Sequence, residues 1–258
     1  MYRVRFAPSP TGPLHFGSLV AALASYLDAR AAGGAWLVRM EDLDTPRNVP
    51  GAGEEILRTL ERFGFTWDEP VVWQSGRIDL YQAALDRLRT AGLAYPCSCS
   101  RKGTGGGPYP GTCRNGPRDP GRPLSWRVRT DDEGGDFIVR RSDGIFAYQL
   151  AVVADDGAQG ITDVVRGADL LDSTPRQMYL QRLLGLPCPH YLHVPVALNE
   201  AGEKLSKQNH APPLDEANPA RELREALRFL GQRDVDGAAP DEIIPQAIRN
   251  WNPDALRG

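Results

Sequence analysis

The stretch that most constrains this chain is its first 44 residues. Residues 2–6, Tyr-Arg-Val-Arg-Phe, read as a short strand. They run into Ala7-Pro8-Ser9-Pro10-Thr11-Gly12-Pro13, which cannot be helical because each proline fixes its own φ and restricts its predecessor. From Gly17 the pattern changes: Leu19, Val20, Leu23 and Leu27 recur at helical spacing, and Gly33-Gly34 supply a stop. Residues 35–40 form a second strand that ends in the acidic run Glu41-Asp42-Leu43-Asp44. Strand, loop, helix, strand is a βαβ unit. It implies a parallel sheet that binds its ligand at the carboxyl ends of the strands.

Two further helical patterns follow, Ile56, Leu57, Leu60 and Phe63 stopped by Gly64, and Ile78, Tyr81, Leu85 and Leu88 stopped by Gly92. Residues 97–123 then lose apolar periodicity and fill with Gly and Pro. Strands are expected at 124–130 and 136–141, with Ser142-Asp143-Gly144 turning into a third strand at 145–153. Ser173-Thr174-Pro175 suits the start of a helix over 177–184, and 190–198 reads as a strand. The tail is helical, with Leu223, Leu227 and Leu230 as one stripe. Trp36 and Phe63 belong to the core.

Charge and cysteine usage narrow the class. Lys+Arg is 30 against Asp+Glu 33, a net charge of -3, which excludes a polycation that coats nucleic acid by charge alone. Between Cys97 and Arg141, however, nine Lys/Arg face five Asp/Glu. The longest apolar stretch, near 19–27, is far below the roughly 20 residues of a membrane span, and the N-terminus carries no apolar signal core. A cytoplasmic protein with no membrane partner is the expectation. Of four cysteines, Cys97, Cys99 and Cys113 fall within 17 residues, and Cys188 reads as a core thiol. The three supply three of the four ligands that a closed zinc site needs, leaving water or a distant histidine for the fourth position; three free buried thiols are the alternative. A segment with so little core has physical use for a metal clip.

Two motifs point to phosphate chemistry. His15-Phe16-Gly17-Ser18 stands at a strand-to-helix junction, where unpaired N–H groups and a partial positive charge suit a phosphate, His15 can donate to phosphate oxygens, and Gly17 admits close backbone approach. Lys204-Leu205-Ser206-Lys207 offers two lysines able to close over a triphosphate. Alone, each passes for a capped helix or a solvated loop. Together, in this order and each after a strand, they do not.

This pair resembles the two signatures of class I aminoacyl-tRNA synthetases. Arg5-Phe6-Ala7-Pro8-Ser9-Pro10-Thr11-Gly12 and Arg39-Met40-Glu41-Asp42-Leu43-Asp44-Thr45-Pro46-Arg47 are similar to the glutamate-specific branch, as are Tyr148-Gln149-Leu150-Ala151-Val152-Val153-Ala154-Asp155-Asp156 and Val164-Val165-Arg166-Gly167-Ala168-Asp169. Only 51 residues follow Lys207, too few for a separate anticodon-reading domain of ordinary size. That points to the short paralogue family, the glutamyl-Q tRNA(Asp) synthetases, which Lys204-Leu205-Ser206-Lys207-Gln208-Asn209-His210-Ala211 also resembles.

The resemblance implies a Rossmann-type α/β catalytic domain in two halves, 1–92 and 145–208. A zinc-binding insert at 93–144 separates them, and a helical C-terminal segment follows at 209–258. It implies an ATP-dependent ligase that activates L-glutamate without tRNA and transfers it to queuosine, the modified base at the first anticodon position of tRNA(Asp). Arg5, Phe6, Ala7, Pro8, Ser9, Glu41, Tyr148 and Arg166 would surround glutamate, with Arg5 on its side-chain carboxylate and Glu41 on its ammonium. His15, Gly17 and Lys207 would bind ATP, and His15, Ser18, Lys204 and Lys207 would serve catalysis with Mg²⁺ on the pyrophosphate side. Ser18 stands where the general class I motif has a second histidine. Tyr109 becomes the fourth ligand of a structural zinc, one per chain, beside Cys97, Cys99 and Cys113. Arg101, Arg114, Arg118 and Arg122 are candidates for tRNA phosphate contacts, and a monomer is expected. Two alternatives stay open: a compact synthetase that charges the 3′ end of tRNA(Glu), and a catalytically dead RNA-binding paralogue.

Overall fold

The structure, a computed structural model, describes residues 1–100, 108–130, 134–198 and 211–257. In chain order its elements are β1 (Arg3–Phe6), α1 (Phe16–Ala31), β2 (Ala35–Met40), α2 (Ala52–Arg62), β3 (Val72–Trp73), α3 (Ile78–Thr90), β4 (Ala94–Cys97), β5 (Ser125–Val128), β6 (Phe137–Arg140), α4 (Tyr148–Ala158), β7 (Asp163–Gly167), α5 (Thr174–Leu183), β8 (His190–Val194), α6 (Pro219–Phe229) and α7 (Pro240–Asn250). They divide into two units: Met1–Gln74 with Gly160–Thr174 and Pro189–Gly258, and Ser75–Gln159 with Pro175–Cys188.

The first unit holds a parallel sheet in the order β3-β2-β1-β7-β8. From β1 the chain winds one way through α1 to β2 (Arg5 opposite Leu37, Phe6 opposite Val38), and later places β7 on the other side of β1. The direction of winding therefore reverses between β1 and β7, and in such sheets the ligand crevice lies outside the carboxyl ends at that reversal. α1 is buried on nearly every face, from Leu19 and Val20 through Leu27. It lies against β1, β2 and β7 on one side and against α6 and α7 on the other. The Leu223, Leu227 and Leu230 stripe joins that core, as do Trp36 and Phe63. Trp36 stacks on Phe6 at 6.2 Å between ring centroids, and its indole N–H donates to Ser25 Oγ at 3.0 Å, so the buried polar atom is satisfied.

The second unit holds the antiparallel sheet β4-β5-β6, with α3 packed on α4 and β4. The turn at Ser142-Asp143-Gly144 forms as expected, with Gly144 at φ 91 and Arg141 N–H donating to Ile145 O at 2.8 Å. The strand expected at 145–153 does not: only an isolated bridge between Arg140 and Phe146 follows, and the chain enters helix α4 at Tyr148. Leu150 through Asp156 are all buried, so no polar face marks the helical period, and the pair Val152-Val153 imitates a strand. Strand 190–198 is likewise shorter than expected and ends at Val194. Among the described residues no helix is long and apolar enough to cross a membrane.

Candidate active site and metal centre

At the carboxyl edge of the first unit's sheet, Arg5 and Phe6 close β1, with Ala7, Pro8 and Ser9 directly after. Glu41 follows β2, and Arg166 is the fourth residue of β7. The loops are tied together by backbone: Glu41 N–H donates to Pro8 O at 2.9 Å and Val49 N–H to Pro10 O at 2.9 Å. Gly12 takes φ 133, a backbone region closed to other L-residues, in the turn that delivers the chain to α1. Arg5 and Arg166 are 3% and 5% exposed, two guanidiniums at one sheet edge, chemistry suited to a doubly anionic amino acid.

His15 is the N-cap of α1. Its Nδ1 accepts from Ser18 N–H at 3.3 Å, so the neutral ring carries its proton on Nε2. Gly17 and Ser18 lie in the first turn behind it. Pro213 bridges to His15, and Leu214 N–H donates to Leu14 O at 3.0 Å. Lys204 and Lys207 lie outside the described residues, as does Arg101. Tyr148 is the first residue of α4, in the second unit.

The strands also bring in residues that the sequence did not single out. Arg39, 0% exposed on β2, sets Nη2 3.5 Å from Glu41 Oε1. Arg166 donates from Nη2 to Thr174 Oγ1 at 2.8 Å, and its Nε reaches His193 Nε2 at 3.5 Å. His193 is held below the usual histidine range, first by burial and then by the Arg166 charge, with Asp169 opposing. Arg39 was marked only by its charge inside the apolar run of β2 and by its place at the head of the 39–47 motif, neither of which gave it a role. Nothing local marked His193.

In the second unit the sulfurs of Cys97, Cys99 and Cys113 all lie within 4.8 Å of one another, so the triad could hold a metal ion. Cys99 and Cys113 are 3.6 Å apart, near the ~3.8 Å that two thiolates keep on a tetrahedral zinc with Zn–S of about 2.3 Å. The Tyr109 hydroxyl joins them, 3.3 Å from Cys97 Sγ and 3.4 Å from Cys99 Sγ, and accepts from Cys113 N–H at 3.0 Å. Burial opposes ionisation of Cys113, but hydrogen bonds from Tyr109, the Arg118 and Ser98 amides and Cys99 outweigh it and bring the thiol down to about 6. Burial, then the neighbouring sulfurs, push the Tyr109 phenol up. Three sulfurs and one oxygen in this arrangement fit zinc.

Two expectations fail here. Arg114 is not offered outward: its Nε and Nη2 donate to Asp136 at 2.8 and 2.6 Å, because the buried Asp136 carboxylate needs a cation. Cys188 is exposed rather than core. It lines a cavity of about 750 Å³ with Thr130, Pro175, Met178, Tyr179, Arg182 and Leu186, a cavity that holds none of the residues assigned to glutamate, ATP or metal. Arg118 and Arg122 are exposed. The second unit carries 14 Lys/Arg against 10 Asp/Glu, and the first 16 against 23.

The family described as tRNA synthetases class I (E and Q), catalytic domain, matches residues 1–103 and 121–243. Proteins named glutamyl-Q tRNA(Asp) synthetase are 55% identical in Dechloromonas aromatica, over 99% of this chain and 95% of that protein, and 57% identical in Burkholderia mallei, over 97% and 96%. The chain belongs to the glutamyl-Q tRNA(Asp) synthetase family. Among solved structures, a glutamate tRNA ligase from Elizabethkingia meningosepticum shares the fold with a TM-score of 0.80 at 24% identity. The match covers 99% of this chain but only 65% of the ligase's length. A methionyl-tRNA synthetase from Mycobacterium tuberculosis shares the fold more distantly, at a TM-score of 0.61 and 12% identity.

Proposed function

We propose that this protein activates L-glutamate with ATP in the absence of tRNA, and then transfers the glutamyl group to queuosine at the first anticodon position of tRNA(Asp). The observation that carries this reading is identity of 55% running end to end with relatives that bear the glutamyl-Q name. The sheet edge adds the chemistry.

Glutamate binds with its side-chain carboxylate on Arg5 and its ammonium near Glu41, with Arg166 at the same sheet edge. Glutamine would leave a buried guanidinium without its anion, a loss of about 3–5 kcal/mol. Aspartate, one methylene shorter, loses about 1–3 kcal/mol of packing. The glutamate α-carboxylate then attacks the α-phosphorus of ATP in line; the bond from that phosphorus to its bridging oxygen breaks and pyrophosphate leaves. The product is glutamyl-adenylate. With Nδ1 committed to the Ser18 N–H, His15 donates from Nε2 to a phosphate oxygen, and the N-terminal N–H groups of α1 add partial positive charge. Lys204 and Lys207 neutralise charge as it builds on the departing pyrophosphate. Pro213, six residues past Lys207 in the sequence, bridges to His15. Mg²⁺ accompanies the ATP phosphates. In the second step a hydroxyl of the queuosine cyclopentene ring attacks the activated carbonyl, an ester forms and AMP leaves.

Zinc on Cys97, Cys99, Tyr109 and Cys113 supplies a structural staple. The surplus of four positive charges in the second unit, with Arg118 and Arg122 exposed, suits tRNA phosphates in an otherwise acidic protein. With so few charges, tRNA binding is weak, and it falls with salt only in proportion to the few phosphates neutralised. The enzyme acts as a cytoplasmic monomer.

Glutamate-dependent exchange of labelled pyrophosphate into ATP, with no tRNA present, tests the first step. Exchange with glutamate and much less with glutamine or aspartate is expected. No exchange with any amino acid would leave a catalytically dead module.

A further inference from the structure

β5 places Arg127 on the same face as Ser125, whose hydroxyl donates to Cys97 O at 3.1 Å, while Trp126 points to the opposite face beneath Arg89. Arg127 is 8% exposed, and a guanidinium so buried needs a compensating anion. Among the described residues, three groups contact it. Nε donates to Cys97 Sγ at 3.3 Å, Nη1 donates to the Asp136 carbonyl at 3.0 Å, and the guanidinium carbon sits 3.8 Å from the centre of the Tyr109 ring. The carboxylate of Asp136 is already taken by Arg114, by Tyr95 and by the Thr130 N–H. A carbonyl and an aromatic face do not balance a full positive charge. Thiolates would: three of them around a bound dication would leave a net negative charge, and Cys97 Sγ lies 3.3 Å from Arg127 Nε.

We propose that Arg127 is the charge-compensating positioning residue of the metal centre, fixing Cys97 by a hydrogen bond and Tyr109 by stacking, so that both ligands face the same ion. The inference rests on the metal-centre reading above. It gives a middle-strand residue, 14 positions past Cys113, a part in metal affinity that the ligand spacing does not reveal. Lysine cannot reproduce it, because an ammonium offers a point charge without the planar face or the directed Nε–H.

The test is zinc affinity by competition with a chromophoric chelator, together with the charge-transfer spectrum of the cobalt-substituted protein, for the full chain and its R127M, R127K and R89M variants. Outer partners of metal ligands typically carry a 10–100-fold share of affinity. R127M is expected to bind zinc ~10–100-fold more weakly and to shift the thiolate-to-cobalt band. R127K falls between R127M and the parent. R89M removes the guanidinium 4.3 Å over Trp126 on the other face of the same strand, and leaves affinity and spectrum unchanged. R127M and R127K both within about threefold of a zinc-binding parent would overturn the role of Arg127 while the metal centre stands. A parent that binds no metal would overturn both. If R127M fails to fold, R127K carries the comparison alone. Equal losses in R89M and the Arg127 variants would reduce Arg127 to a strand-packing residue and overturn the proposal.

Discussion

Replacing His15 with asparagine separates two jobs that the native side chain combines. Nδ1 caps α1 by accepting from Ser18 N–H at 3.3 Å, a long hydrogen bond, so its loss in H15A should cost about 0.5–1 kcal/mol, the low end for an N-cap. Asparagine is among the best caps and its side-chain oxygen can take over that contact, so H15N should keep the stability of the parent. It cannot reproduce an N–H at the position of Nε2. A hydrogen bond to a charged phosphate contributes about 1.5–3 kcal/mol, which corresponds to about 10- to 150-fold in rate. The assay pairs urea unfolding with glutamate-dependent ATP–pyrophosphate exchange. H15A should lose both stability and rate; H15N should lose rate alone. An H15N enzyme exchanging within about threefold of the parent would refute the phosphate contact, and an H15N protein as destabilised as H15A would refute the cap.

Three further outcomes follow from other parts of the structure. D136N removes the carboxylate that accepts from Arg114, Tyr95 and Thr130, and should destabilise the second unit by about 3 kcal/mol in urea unfolding, the low end for a buried pair because the Arg114 side chain is 36% exposed. H193Q bears on pH. Burial and Arg166 hold His193 below its usual value, so below about pH 6.5 the unfolded chain binds the proton first and stability falls as pH falls; the variant should lose that part of the slope, and an unchanged slope would contradict it. G53A improves helix propensity by about 1 kcal/mol, yet its new methyl would meet Trp73 Cη2 at 2.3 Å, so a net loss of about 1–2 kcal/mol is expected in the same unfolding assay.

What the sequence made legible was local or repeated. The turn prolines, the helical recurrence of Leu19, Val20, Leu23 and Leu27, and the paired glycines defined β1, α1 and β2 almost to the residue, because each boundary had its own stereochemical cause. The cysteine spacing likewise announced the cluster of Cys97, Cys99 and Cys113, while Tyr109 came only from the family resemblance. α4 was misread because burial on every side erases the period on which the reading depends. Arg127 and Asp136 escaped notice because their meaning comes from the pairing of Cys97 with Ser125 across β4 and β5 and of Val128 with Phe137 across β5 and β6, contacts that no short window contains. Arg114 was read as a surface cation because its partner lies 22 residues on. Cys188 was assigned to the core on residue type alone, whereas its position after α5 leaves it exposed on a cavity wall.

The central claim is that glutamate goes to a modified base rather than to a 3′ end. The direct measurement supplies labelled glutamate and ATP to the protein with total tRNA from two hosts, one making queuosine and one not. Label only on the queuosine-containing pool, at tRNA(Asp), is the predicted result. Equal label on both pools, at the 3′ end of tRNA(Glu), would contradict it.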